Sequence, residues 1–176
     1  MRLFHVSEEP HIIQFIPRTP LRNDIDKSKG LVWAIDEYHL PNFLTPRECP
    51  RVAYYASNET SEEDITRFFS SSCHHCITIE HAWYKRVRET TLYLYELDPA
   101  NFYLQDKIGG YYVSEHLETP IRKIQIDDLF GELFKRNIEI RLLNNLWDFA
   151  DAVKESTLNY SICDMALAQP RHDLST

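Results

Sequence analysis

The sequence predicts an α+β fold, with a mixed, mostly antiparallel sheet and short helices. Segments typical of strands follow one another along the chain with only short helical segments between several of them, which favours this fold over a doubly wound parallel sheet. The 176 residues include only 4 glycines. These cannot supply a Walker phosphate-binding loop or a G-x-G-x-x-G dinucleotide fingerprint. P-loop nucleotidases and Rossmann dehydrogenases are therefore disfavoured.

Length and composition indicate one domain that folds alone. A domain takes roughly 150 residues, and 43% of the residues are hydrophobic and 12% aromatic. This is enough apolar surface for a core without metal or disulfides. We expect a single α+β domain over residues 1–168 and a flexible C-terminal tail over residues 169–176, where the chain is mostly polar.

Short runs of apolar and β-branched residues, bounded by turn residues, predict four strands in the first half of the chain. These strands are Arg2–Val6, Leu31–Ile35, Arg51–Ala56 and Cys76–Glu80. A helix is predicted to follow Ser61, because Ser61 stands three residues before Asp64 in a near capping box. A second short helix is predicted over His81–Arg88.

In the second half, Thr90–Leu97 alternates residue by residue, which is the pattern of a half-buried strand. Further strands are predicted over Asn101–Leu104, Tyr111–Ser114, Ile121–Ile126 and Ile138–Leu142. Helices are predicted over Asp127–Arg136, Trp147–Lys154 and Leu158–Ala168. No internal repeat interrupts this series.

Charge and hydropathy restrict the partners and the location. Lys and Arg number 19 against 27 Asp and Glu, which gives a formal net charge of −8, so bulk binding to nucleic acid or to anionic membranes is disfavoured. A local basic pocket stays open. Glu8 and Glu9 lie where a signal peptide would need an apolar stretch. No run approaches the roughly 20 apolar residues of a membrane span, so we expect a cytoplasmic protein with reduced cysteines.

The most conspicuous local cluster is Cys73-His74-His75-Cys76. A C-x-x-C pair can bind zinc, with His81 as a third ligand. A structural zinc site needs four ligands, however, and no second C-x-x-C pair occurs. We therefore interpret this segment as a serine-rich turn before a strand, and we predict no metal site.

His5 lies in the middle of the first apolar strand, and Ser7 lies on the same face two residues later. A histidine in this position either completes a buried polar network or points into a pocket. Trp33 and Tyr54, in the second and third strands, offer aromatic faces that can stack on a flat ligand ring. Aromatic residues in strands are, by the alternative interpretation, core residues.

Arg18, Arg47 and Arg51 each follow a proline directly. Arginines in such fixed segments can hold a phosphate or carboxylate through two hydrogen bonds. The alternative is that they pair with nearby acidic residues. Cys49 lies between the last two arginines, which can activate a thiol, but a buried, unreactive thiol is favoured.

Glu115 follows the strand that begins after Gly109 and Gly110. A carboxylate at the end of a strand can stabilise the positive charge that develops when a glycosidic bond breaks. Glu118 is the neighbouring alternative, and an ordinary exposed glutamate is the other interpretation of Glu115.

Several segments resemble a family of uncharacterised bacterial proteins. They are LFHVSEEP at residues 3–10, VWAID at 32–36, PRECPR at 46–51 and GYYVS at 110–114. The resemblance covers almost the whole chain. That family has no established activity, so the resemblance implies membership and no function.

A first strand reading L-F-H-x-S, an aromatic second strand and a late Y-x-S-E strand also look like the ADP-ribosyltransferase-like fold. Its H-Y-E branch implies that His5 holds the ribose of NAD, that Trp33 or Tyr54 packs on nicotinamide, and that Glu115 assists transfer. NAD or a related nucleotide is then the substrate. The residues expected to bind it are Ser7, Arg18, Trp33, Arg47, Arg51 and Tyr54. The alternative is a noncatalytic module, binding a small molecule or a protein, in which His5 and Glu115 are structural.

Overall fold

A computed structural model describes residues 1–20, 26–70 and 72–171. The chain divides into two compact units, each built from two separate stretches. The first unit comprises Met1–Leu44 and Thr91–Asp127, and the second comprises Thr45–Thr90 and Asp128–Thr176. The single domain expected over residues 1–168 stays a prediction. Most of its expected tail, residues 172–176, lies outside the described residues.

The described residues form ten strands and four α-helices. The strands are β1 (Leu3–Ser7), β2 (Val32–Asp36), β3 (Arg51–Tyr55), β4 (His75–Glu80), β5 (Leu92–Leu97), β6 (Tyr103–Asp106), β7 (Tyr111–Ser114), β8 (Arg122–Ile126), β9 (Glu139–Leu143) and β10 (Asn159–Cys163). The helices are α1 (Glu62–Phe68), α2 (Tyr84–Glu89), α3 (Leu129–Lys135) and α4 (Trp147–Lys154). The predicted α+β fold is confirmed.

The first unit contains a six-stranded sheet in the order β6-β7-β2-β1-β5-β8. All neighbouring strands in it are antiparallel. Because side chains alternate along each strand, its two faces differ. The face that we call the His5 face carries Leu3, His5, Ser7, Val32, Ala34, Tyr95 and Ser114. The opposite face, which we call the Trp33 face, carries Phe4, Trp33, Ile35, Tyr103 and Val113.

The register brings three chain segments to the same end of this sheet. Leu3 lies opposite Asp36, so β1 ends where β2 begins. Val32, at the start of β2, lies opposite Ser114, the last residue of β7. The polar residues that follow β1 and β7, and those that precede β2, therefore meet at one sheet end.

The second unit contains a four-stranded sheet in the order β10-β3-β4-β9. β4 and β9 are parallel, whereas the other two pairs are antiparallel. Tyr54 of β3 packs in a core with Phe68 of α1 and Val153 of α4. The Oγ of Ser61 accepts from the backbone N–H of Asp64 and so caps α1, as the sequence predicts.

The predicted helix over Leu158–Ala168 is wrong. This stretch forms β10 and a 3₁₀ turn at Met165–Leu167. Tyr160 and Ile162 suit a strand, and β10 pairs with β3 along all five of its residues. An apolar run of this length does not distinguish a strand from a helix by periodicity alone. Within the described ranges, no helix has the length and apolar character needed to cross a membrane.

Candidate functional site

His5 is bound to the neighbouring strand through its side chain. Its Nδ1 lies 3.0 Å from the carbonyl oxygen of Trp33. A carbonyl oxygen only accepts, so Nδ1 carries the proton and donates it. The pairing of β1 with β2 ends at Phe4 and Ile35. The imidazole thus makes the next contact between the two strands beyond the end of the backbone ladder.

The other ring nitrogen of His5 is an acceptor. Burial lowers the pKa of His5, and the positive charge of Arg18 lowers it further, so the ring is neutral at pH 7. With the proton on Nδ1, the Nε2 atom presents a lone pair. Among residues 1–20, 26–70 and 72–171, no group hydrogen-bonds to Nε2. The His5 ring therefore offers one fixed acceptor to a ligand hydroxyl.

A segment that we call the strap, Glu9–Arg18, crosses this sheet end. The ring of Phe15 lies 4.6 Å from the His5 ring, centroid to centroid. The backbone of Phe15 exchanges two hydrogen bonds with Glu118, and the backbone of Arg18 exchanges two with Leu31. The exposed guanidinium of Arg18 pairs with no carboxylate in the part of the chain that the structure describes. The strap therefore brings a cation close to His5, and the described part of the chain supplies no carboxylate partner for it.

The His5 face also holds a buried carboxylate. Glu118 is 5% exposed, and its Oε1 accepts from the hydroxyl of Ser114 at 2.6 Å. Ser114 lies opposite Val32, whose side chain belongs to the His5 face. Of the two candidate carboxylates, Glu115 and Glu118, Glu118 is thus the one on the same face as His5.

Glu115 lies with the Trp33 face. Its Oε1 accepts from Lys29 Nζ at 2.8 Å and from the hydroxyl of Tyr103 at 3.3 Å, and Tyr103 is on the Trp33 face. The hydrogen bond from Lys29 is the main cause that lowers the pKa of Glu115. The half-buried ring of Trp33 meets Tyr111 edge-on at 5.6 Å. Glu115 is therefore an ionised carboxylate near the same sheet end as His5, on the opposite face.

The remaining predicted residue of the first unit is Ser7. Its Oγ accepts from the backbone N–H of Glu9 at 3.0 Å, so Ser7 shapes the turn that leads into the strap. The structure thus brings Ser7, Arg18, Trp33 and Glu115 to the sheet end that His5 occupies.

The other three predicted residues belong to the second unit. Tyr54 is completely buried, and its hydroxyl donates to the carbonyl oxygen of Phe68 at 3.0 Å, so neither face of its ring is accessible. Arg51 is buried and donates through Nη1 to Asp164 at 3.0 Å, as in the ion-pair interpretation. Arg47 is exposed.

Sequence reasoning missed Phe15, Lys29, Tyr103 and Ser114. The sequence gives only a weak indication of a role for Ser114, which ends a short predicted strand four residues before Glu118. The sequence gives no indication of a role for Lys29 or Tyr103, since both are distant in the chain from Glu115, the carboxylate that they contact. Phe15 looks like any apolar residue of a proline-rich connection.

None of the four cysteines forms a disulfide. Burial raises the pKa of Cys49 to about 12 and that of Cys76 to about 11, so both are protonated and weakly nucleophilic. Cys73 donates to the side-chain oxygen of Asn137 at 3.3 Å. Among residues 1–20, 26–70 and 72–171, no group of three or more His, Cys, Asp or Glu side chains is arranged to hold a metal ion.

Comparison with known proteins gives one match. A family model described as "Family of unknown function (DUF6886)" matches residues 4–168. No curated protein and no solved structure matches the chain. The evidence for a function therefore lies in the side chains described above.

Proposed function

The chain belongs to DUF6886, a family of unknown function, and we propose that it binds NAD or a related nucleotide and transfers the ADP-ribose group. The observation that carries this proposal is the His5 ring. Its Nδ1 is committed to the Trp33 carbonyl at 3.0 Å, which fixes Nε2 as an acceptor. A fixed neutral acceptor in a half-buried position suits a sugar hydroxyl, which must donate to it.

The charges at this sheet end suit the rest of a nucleotide. The guanidinium of Arg18 is close enough to His5 to affect its pKa, and it has no carboxylate partner in the described ranges. A guanidinium can bind phosphate oxygens through two parallel hydrogen bonds. We therefore assign the ribose to His5 and the pyrophosphate to Arg18.

The reaction needs a carboxylate. In ADP-ribosyl transfer the bond between ribose C1′ and the nicotinamide nitrogen breaks, and its electron pair leaves with nicotinamide. The ribose becomes an oxocarbenium-like cation, which a carboxylate stabilises. An acceptor hydroxyl or water then bonds to C1′ and releases its proton. We assign the carboxylate role to Glu118, because it shares the His5 face, and we retain Glu115 as the competing assignment.

A noncatalytic module is the second candidate function. The hydrogen bonds within the protein favour it, since His5, Glu115 and Glu118 each bond to another group of the chain. In that case these bonds serve the fold, and the sheet end binds a small molecule or a protein without chemistry.

Binding is tested by thermal unfolding with and without NAD. The variant His5→Asn can keep an N–H donor near the Trp33 carbonyl but lacks the Nε2 acceptor. NAD at about 100 times its dissociation constant stabilises the wild type by about 2.7 kcal/mol, which raises the melting temperature by several degrees. We expect this shift to disappear in His5→Asn and to persist in His81→Asn, which changes an exposed histidine outside the strap. An equal shift in His5→Asn would remove His5 from the site.

Chemistry is tested by chromatographic detection of nicotinamide released from NAD. We expect Glu118→Gln to reduce release by about 100-fold or more, and Glu115→Gln to reduce it less. The reverse order would assign the role to Glu115. NAD binding without nicotinamide release, with water and with a panel of protein acceptors, would favour the noncatalytic module.

We also propose a cytoplasmic location. The four thiols are unpaired with one another, which is the usual state in a reducing compartment. Fractionation of cells that express the chain with an epitope tag tests this location.

A further inference from the structure

The strap is attached to the sheet at a few points. The Phe15 backbone is held by Glu118 through hydrogen bonds of 2.7 and 3.0 Å, and the Arg18 backbone is held by Leu31 through bonds of 3.1 and 2.8 Å. Near its beginning, the strap is also held by the Tyr95 hydroxyl and by Lys123 Nζ, which donates to the carbonyl oxygen of Pro10 at 2.8 Å. Between these points the strap exposes Ile13 and Ile16. Segments with few anchors open locally without global unfolding.

Phe15 occupies the space beside the one side chain on which the proposed function depends. Its ring is 8% exposed and packs in the core of the His5 face. It contacts the His5 ring at 4.6 Å and the Tyr95 ring at 5.6 Å. The Phe15 ring covers one side of the partly buried His5 ring, and Arg18 belongs to the strap itself. A ligand that places a ribose on His5 Nε2 and phosphates on Arg18 therefore lies against the strap.

The strap backbone also lies close to the chain at the start of β2. At Gly30, an added Cβ would lie 3.0 Å from the carbonyl carbon and oxygen of Pro17. The lack of a side chain at position 30 therefore allows the strap backbone to approach the start of β2. This contact involves Pro17, whereas Phe15 packs its side chain in the core of the His5 face. Opening of the strap therefore removes the Phe15 ring from that core and leaves the pairing of the strands of the sheet in place.

We propose that the strap is a gate: Glu9–Arg18 lifts away from the sheet end as a unit, Phe15 withdraws from His5, and the ligand enters the space that Phe15 leaves. This inference rests on the proposed function for the identity of the ligand. The opening of the strap is a property of the chain alone and is measurable without ligand.

The register offers a reversible lock for this gate. Phe15 and Glu118 form an antiparallel pair with both backbone hydrogen bonds. Continuing this register by one step places Ile16 opposite Leu117, and the Cα atoms of a regular pair of this kind are about 4.5 Å apart. This separation lies in the range that a disulfide spans. Both side chains are more than half exposed, at 57% and 53%, so the double variant Ile16→Cys/Leu117→Cys should fold.

The experiment compares the oxidised and reduced double variant with the two single-cysteine variants, which receive the same oxidant. Amide hydrogen exchange in the absence of ligand gives the first readout. We expect the amides of Phe15 and Glu118 to exchange at least about tenfold faster than those of β5 in the reduced protein, and to slow markedly on oxidation. Strap amides that exchange as slowly as β5 when reduced would overturn the gate.

Binding of NAD gives the second readout. We expect oxidation to weaken binding or slow association by at least about tenfold in the double variant alone, and reduction to restore it. Unchanged binding in the locked protein would overturn the gate while leaving the proposed function intact. If the wild type binds no NAD, the proposed function fails, and the exchange rates still decide whether the strap opens.

Discussion

The hydroxyl of Tyr95 donates to the carbonyl oxygen of Glu9 at 2.6 Å and accepts from the backbone N–H of Ile12 at 3.2 Å. Tyr95 lies on β5, directly opposite His5. One phenol therefore binds the strap at its beginning and fixes its path across the His5 face.

Tyr95→Phe should destabilise the protein by about 1–3 kcal/mol, because it leaves two backbone groups of the strap without their partner. Urea unfolding measures this loss. Tyr93→Phe is the matched control, since the Tyr93 hydroxyl makes no hydrogen bond within the described part of the chain and its removal should change the stability by less than about 0.5 kcal/mol. Equal losses in the two variants would contradict the role given to Tyr95.

Much of the secondary structure followed from local patterns. Tyr111–Ser114 and Trp147–Lys154 have the predicted bounds, and α1 begins after its predicted Ser61 cap. Alternation, capping and helical periodicity are local properties, so the sequence displays them directly. The helix prediction for Leu158–Ala168 was wrong because part of this stretch forms a strand by pairing with β3. That pairing partner is distant in the chain, so the local pattern does not show it.

The candidate site was predictable only in part, for the same reason. The sequence indicates His5, Arg18 and Glu115 by residue type and by position at strand ends. The sequence does not indicate the register in which the strands pair. That register places His5 and Glu115 on opposite faces of the sheet and Glu118 on the His5 face. A register shift of one residue reverses the faces, so the choice between the two carboxylates required the pairing of β1, β2 and β7.

The stability should depend on pH through His5. Burial lowers the pKa of this ring in the folded state, whereas the unfolded state has a pKa of about 6.5. Below about pH 6.5 the unfolded state therefore binds the proton more tightly, and the free energy of unfolding falls until the pH drops below the folded-state pKa. Urea unfolding between pH 7.5 and about 5 measures this loss.

His5→Asn should remove that part of the pH dependence, because Asn does not titrate. His11→Asn, at an exposed position, should leave it in place. Nuclear magnetic resonance titration of the His5 ring gives an independent check. A His5 ring that titrates at or above 6.5 would refute the prediction.

The Ser114 and Glu118 pair should behave as one unit. Ser114→Ala leaves the buried carboxylate without its hydroxyl donor and should cost about 1–3 kcal/mol. In a double-mutant cycle with Glu118→Gln, we expect a coupling energy of about 1 kcal/mol or more. Strict additivity of the two substitutions in urea unfolding would show that the 2.6 Å contact contributes nothing to stability.

Gly110→Ala should destabilise the first unit strongly. Gly110 has a φ of 69°, which costs a residue with a Cβ about 1–2 kcal/mol, and the new Cβ would overlap Nδ1 of His39. Asp36 holds this imidazole in place at 2.8 Å. Thermal unfolding should show a smaller loss for Gly110→Ala in a His39→Ala background than in the wild type. Equal losses would mean that the overlap is relieved by other movements.

The interleaving of the two units has a consequence for biosynthesis. β1 pairs with β5, and Leu3 lies opposite Leu97. More than half of the chain must therefore be synthesised before β1, the first strand to leave the ribosome, can pair with β5. The second sheet is complete only when β10 has emerged. Neither unit can fold during the first half of translation, and such long-range pairing is slow to form. We therefore expect nascent chains to depend on chaperones through that period, and fragments that end at Leu44 or at Thr90, where neither unit is complete, to accumulate unfolded.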